Sequence, residues 1–255
     1  MECKNCQHTE AEAFDFCPSC GAKVIHNRLT FKNLSVDIAE RVFDIDNTFL
    51  KTFLHLLSQP EIVIDGYIQG IRKRYINPIS YFAFALTLAG LQIFLVKKFF
   101  SNAYDFSSIA ASGQEEFMST MMNSIQEYSS LITMLMIPVY ALMARIVFIN
   151  IKKYNYTELV VVFLYFAAEV SFISFIPFMV LIALGFNYGQ LSPVATVLQI
   201  LIAAYYLKRL YALSTKGIIL RTLFFLVILT MFYIVAILIT LVLMFVFGIL
   251  PLPEA

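Results

Sequence analysis

The chain has 255 residues, 60% of them hydrophobic and 14% charged, with a formal net charge of +1 at pH 7. A soluble domain of this length cannot bury so large an apolar fraction, so the composition points to a polytopic membrane protein and the lipid bilayer as its first partner. The nearly balanced charge excludes a generally basic nucleic-acid binder.

The first expected element is a metal module over residues 1–25. Cys3, Cys6, Cys17 and Cys20 are the only cysteines and form two C-x-x-C pairs. Each pair can turn two thiolates toward one ion, and together they make a closed tetrahedral Zn2+ site, a small zinc ribbon. Pro18 stiffens the second turn and Gly21 supplies a permissive backbone after it. Two disulfides and a redox C-x-x-C are the competing readings. A reducing cytoplasm argues against the first, and the second needs no further pair nearby. His8 and His26 are not required, because four thiolates already satisfy zinc. A closed site leaves no position for a reactive water, which makes the expected zinc structural. In so short a module, metal binding and folding are nearly one event. Residues Met1–Ser35 are polar and hold no apolar h-region, so a cytoplasmic N-terminus is expected. The first 46 residues carry eight acidic and five basic side chains, a balance that gives little attraction for phosphate and makes nucleic acid an unlikely partner.

Residues 26–77 read as a cytoplasmic collar of amphipathic helices. Ser35 can cap a short helix to Phe43. In "DNTFLKTFLHLLSQP", Phe49, Leu50, Phe53, Leu54 and Leu57 recur at helical spacing, with Lys51, His55 and Ser58 opposite. Pro60 ends that helix and opens the next, where Ile64, Tyr67, Ile68, Ile71 and Tyr75 are expected on one stripe. Arg72, Lys73 and Arg74 follow, either as a membrane-surface site for anionic headgroups or as a flank that only fixes topology.

The double cysteine knuckle, "FDIDNTFLKTFLHLLSQP" and "GYIQGIRKRYINP" together resemble the bacterial domain-of-unknown-function 3667 family, proteins with an N-terminal zinc ribbon and a membrane region. The most specific part is the pattern Tyr67, Gly70, Arg72, Tyr75 and Pro78. Where a Gly-Lys-Arg triplet is expected, this chain has Gly70, Ile71 and Arg72. The resemblance implies membrane residence and zinc, and it supplies no activity.

From residue 78 to 255 a five-span bundle is expected, with spans near 78–96, 130–149, 159–183, 191–207 and 222–247. The fourth is the shortest, and a re-entrant segment is its alternative. The fold class is therefore all-α and polytopic: about five transmembrane helices, preceded by amphipathic helices and the four-cysteine zinc ribbon. Nine Lys/Arg precede the first span. Arg145, Lys152, Lys153, Lys208, Arg209, Lys216 and Arg221 belong to the same side, and only Lys97 and Lys98 fall on the other. The positive-inside rule then puts the N-terminus in the cytoplasm and the C-terminus outside, in the bacterial inner membrane. In the long outer loop, Ser112 and Glu115 form a capping-box pattern before Phe117, Met118, Met121, Met122 and Ile125. Methionines at helical spacing read as packing before they read as copper ligands.

Polar groups within spans are costly and so mark candidate sites. Glu169 is the one carboxylate expected at depth, and Gln199 is placed to hydrogen-bond to it. A structural clasp between helices and a proton- or cation-handling role are both open. No histidine follows His55, and no phosphate loop, paired aspartates or dinucleotide fingerprint appears, so no enzyme is expected. Two functions remain. One is an adaptor presenting the ribbon to a cytoplasmic protein partner. The other is a small transporter, channel or lipid-handling protein using Glu169, with the ribbon regulatory. Homo-oligomers are compatible with either.

Overall fold

The computed structural model describes residues 48–100, 103 and 124–246, together with Cys6, Pro18 and Ser19; after Thr240 only Val242 has a described side chain. The chain divides into two units, Met1–Asp46 and Asn47–Ala255. In the first, Cys6, Pro18 and Ser19 are exposed turn residues. Cys3, Cys17, Cys20, the helix expected over 35–43 and most of the helix expected from Ser112 lie outside the described residues.

In the second unit every regular element among the described residues is helical. Helix α1 covers 48–58, and Gln59 separates it from α2, Pro60–Ile68, which starts on proline as expected. Five long helices follow: α3 Pro78–Phe99, α4 Ser129–Val147, α5 Tyr156–Ala183, α6 Tyr188–Leu210 and α7 Thr215–Val246. All five are long and apolar enough to cross a membrane. The fourth of them, α6, has the lowest mean hydropathy of the five, 1.4. Even so it is one continuous helix of 23 residues, about 34 Å at 1.5 Å per residue, which is long enough to cross. Its start lies before the apolar run because Asn187 and Gln190 form a capping box there.

Helix α5 is the central element, packing on α2, α3, α4 and α6. Fully or almost fully buried alanines make the close approaches: Ala85 of α3, Ala141 and Ala144 of α4, and Ala168 of α5. Small side chains let helix backbones come together where hydrocarbon outside offers no hydrophobic drive. Tyr81, Leu159, Tyr165, Tyr206 and Leu210 fill the space between them. Helix α7 contacts α4 and α6, and its most apolar stretch holds no buried residue.

The two short helices do not present the stripes expected of them. Helix α1 buries Thr52 and Leu56, while Leu50, Leu54 and Leu57 of the apolar stripe are exposed. It is therefore three-faced: one side against the bundle, one apolar side open, and a polar side carrying Lys51 and Ser58. Helix α2 stops at Ile68 because Gly70 takes φ +100° and the chain turns back. Ile71 N donates to Gly66 O (2.8 Å) and Gly70 N to Tyr67 O (3.1 Å). Ile71 is consequently exposed, and Tyr75 is a buried loop residue, not a continuation of the helix. The same turn closes α5 at Gly185 and α6 at Ala212, where a non-glycine residue sits at φ +49°.

Candidate functional site

Helix α3 is started by Asn77, whose side chain accepts from Ser80 N (2.8 Å), with Pro78 behind it. That start fixes Tyr81 in the first turn, facing α5. There its hydroxyl donates to Glu169 Oε2 at 2.6 Å. Glu169 has no solvent exposure, and no lysine or arginine is paired with it among the described residues. Its other oxygen, Oε1, is buried without a hydrogen-bond partner among the described residues, and so is the Tyr206 hydroxyl of α6. The two groups interact electrostatically. A buried polar atom without a partner costs free energy, which marks this pair as a candidate site.

Helix α1 covers the cluster. Phe49 packs its ring against Tyr81 (5.5 Å between centroids) and Phe172 (5.0 Å). At the other end of α1, the Tyr205 hydroxyl donates to Ser58 O at 2.7 Å. Between them, buried Thr52 Oγ1 accepts from Ile76 N (3.1 Å), while the Tyr165 hydroxyl donates to Ile76 O (2.7 Å). The backbone of one loop residue is thereby held through both its N–H and its C=O. His55 Nδ1 and the Tyr75 hydroxyl share a 2.7 Å hydrogen bond, which uses the histidine in docking. A cavity of ≈ 230 Å³ lies under the end of α1, between Leu57, Ile173, Leu201 and Tyr206.

Helix α2 is fastened by two acids one turn apart that the sequence reading did not single out. Glu61 accepts from Arg209 Nε at 3.0 Å. Asp65 accepts from Lys153 Nζ at 3.0 Å and from the Tyr154 hydroxyl at 2.5 Å. Lys153 also reaches Leu210 O, one of the last carbonyls of α6. The i, i+4 spacing of Glu61 and Asp65 on a short apolar helix was the available signal. Burial pushes the Tyr154 hydroxyl well above the ordinary tyrosine range, and Asp65, which accepts its proton, pushes it further. Burial likewise pushes Tyr211 up to about 12.

Arg72, Lys73 and Arg74 lie on the exposed loop between α2 and α3. Arg72 stands 5.8 Å from the Tyr67 ring centroid, and Arg74 stands 5.4 Å from that of Tyr75. Glu169 and Gln199 are not brought together: Glu169 bonds Tyr81, and Gln199 is exposed. Helix α5 has 28 residues, about 42 Å. Glu169 is level with the first turn of α3 and with Tyr206, two turns along α6 from Gln199.

Gln199 lines a larger cavity of ≈ 310 Å³ enclosed by α4, α5, α6 and α7. Among the described residues no group of three or more His, Cys, Asp or Glu side chains is placed to hold a metal.

Residues 46–90 match the family described as protein of unknown function, DUF3667. The match begins after the cysteine motif and spans α1, α2, the basic loop and the first half of α3. It therefore includes the cover and Tyr81, but neither Glu169 nor Tyr206. No curated protein and no solved structure matches the chain.

Proposed function

We propose, for a chain whose residues 46–90 match DUF3667 and whose five apolar helices suit a multi-pass membrane protein, a non-enzymatic adaptor that presents a zinc ribbon to a cytoplasmic protein partner. The donor set suits the metal, because two C-x-x-C pairs supply the four thiolates of a closed zinc tetrahedron through Cys3, Cys6, Cys17 and Cys20. In this reading the N-terminus is cytoplasmic, the C-terminus lies outside and the host is the bacterial inner membrane, as the basic residues of one side argue. The supporting observation is how firmly the segment following the ribbon is fastened. Ser58, Glu61 and Asp65 tie α1 and α2 to Tyr205, Arg209 and Lys153, so a partner held before residue 48 is held to the bundle. In-cell crosslinking read by mass spectrometry, comparing wild type with Cys17→Ser/Cys20→Ser, tests this. Bound zinc and a stoichiometric partner should both disappear in the variant while the protein stays inserted; an unchanged crosslink pattern overturns the adaptor.

A second reading, a transporter, channel or lipid-handling bundle, is favoured by one observation. Glu169 Oε1 and the Tyr206 hydroxyl are buried without hydrogen-bond partners among the described residues, and Tyr206 lines a cavity at the edge of the bundle. Flux in liposomes of the purified protein with Glu169→Gln distinguishes it; flux equal to wild type rules out a proton- or cation-coupled version.

A further inference from the structure

The cavity of ≈ 310 Å³ is elongated along α7. Its wall on that helix runs from Thr222 through Phe225 and Leu229 to Tyr233. The eleven helical steps from Thr222 to Tyr233 span ~16 Å, about half of a ~30 Å hydrocarbon layer and so the depth of one leaflet. Phe163 and Phe166 of α5 form the back, and Ala203 and Ala204 of α6 leave the room. The slot is apolar over most of its length. Thr222 Oγ1 at its end is buried without a hydrogen-bond partner among the described residues.

That end is the basic one. Arg221 adjoins Thr222 in sequence, and Leu207, which lines the slot, is one turn before Tyr211. Arg145 of α4 and Arg221 of α7 both act electrostatically on Tyr211. The Arg221 guanidinium sits 5.5 Å from the Phe148 ring centroid, and Phe148 in turn stacks on Tyr211 at 4.1 Å. Neither arginine pairs with a carboxylate among the described residues, although Arg145 Nη1 donates to Tyr154 O at 2.7 Å. The acid nearest Tyr211 in effect, Glu158, is engaged by Asn155 N (2.7 Å) at the start of α5. Lys216, exposed in the first turn of α7, adds a third cation.

We propose that this slot binds an anionic phospholipid, with one acyl chain lying between α6 and α7 and its phosphate at Arg145 and Arg221. An arginine fork matches phosphate oxygens, and the helices on either side admit only molecules already dissolved in the membrane. The proposal rests on the lipid-handling reading of the bundle, and it gives that reading a ligand class and a site apart from Glu169.

The test is photolabelling of the full chain in phosphatidylcholine vesicles, using phosphatidylglycerol or phosphatidylcholine with a diazirine in the acyl chain, mapped by mass spectrometry. The glycerol probe should label the slot walls on α6 and α7 at least about fivefold more than the choline probe, the factor expected for one basic residue near an anionic headgroup. Arg221→Gln should remove about that factor. Ala203→Phe should abolish slot labelling while the outer side of α7 remains labelled, and Leu226→Phe fills the slot from the other wall should the first variant not fold. Excess glycerol phosphate should leave labelling unchanged, because the chain supplies the depth of the site. Equal labelling by both probes, even labelling around the bundle, or indifference to both filling variants overturns the proposal. Labelling at Leu57 and Ile173 reports on the cavity beside Tyr206 separately, so failure at one site does not imply failure at the other.

Discussion

Two tyrosines touching the same carboxylate cluster should behave in opposite ways. The Tyr81 hydroxyl is the one donor to Glu169 among the described residues, so Tyr81→Phe leaves a buried carboxyl with no partner and should cost about 1–3 kcal/mol of stability. Tyr206 carries a buried hydroxyl with no hydrogen-bond partner among the described residues, so Tyr206→Phe should be neutral or slightly stabilising. Thermal unfolding in detergent of the two variants beside wild type measures both; equal losses would show that Tyr206 has a partner. Ala212 offers a similar contrast. It occupies the left-handed position that Gly70 and Gly185 fill in the equivalent turns, and Ala212→Gly should stabilise by about 1 kcal/mol, read as a raised Tm. Alkaline pH should act through Tyr154 and Tyr211. Both hold their protons more tightly in the fold than an ordinary tyrosine does near pH 10, so stability is flat below that point. It should then fall by up to about 1.4 kcal/mol per pH unit for each group. The Tyr211 contribution is exhausted near pH 12, and Tyr211→Phe should flatten that part of the curve.

At the scale of elements, α2 is held by one bond of little value and one of more. The Glu61–Arg209 pair is partly exposed, and Glu61→Gln should cost under about 1 kcal/mol. Asp65 also accepts from the buried Tyr154 hydroxyl, so Asp65→Ala should cost about 1–3 kcal/mol, with denaturant or thermal unfolding as the measure. The spans were legible because each is an apolar run of the right length, and Asn187 with Gln190 would have set the start of α6 had the capping pattern been applied there. The faces of α1 were not legible. Its stripe of Phe and Leu fits a surface helix, but contacts to distant residues decide which side is buried, and those selected Thr52, held by Ile76 24 positions on, and Leu56. The partner of Glu169 is 88 residues away, at the start of another helix, and spacing within one span carries no signal for it. Gln199 lies two turns along α6 from Tyr206, the residue of that helix that interacts with Glu169, and spacing within one helix does not fix its register against another.

For the whole molecule, the ends of α4 and α6 and the starts of α3, α5 and α7 lie together, linked by Tyr165 to Ile76, Lys153 to Asp65 and Leu210, and Arg221 to Phe148. Successive long helices therefore run in alternating directions. Helix α7 is the least enclosed part, which is why a slot survives beside it. The cover over Glu169 carries a consequence for the order of assembly. Ser58 is tied to a tyrosine 147 residues later, and Glu61 to an arginine 148 residues later. A ribosome working at 5–20 residues per second needs on the order of ten seconds to make that length. Throughout that interval α1 and α2 have no α6 to dock on, and Tyr81 has met Glu169 well before the cover can close. The matched segment is thus made early and seated late, and a nascent chain arrested between α5 and α6 should leave α1 open to protease while the finished protein protects it.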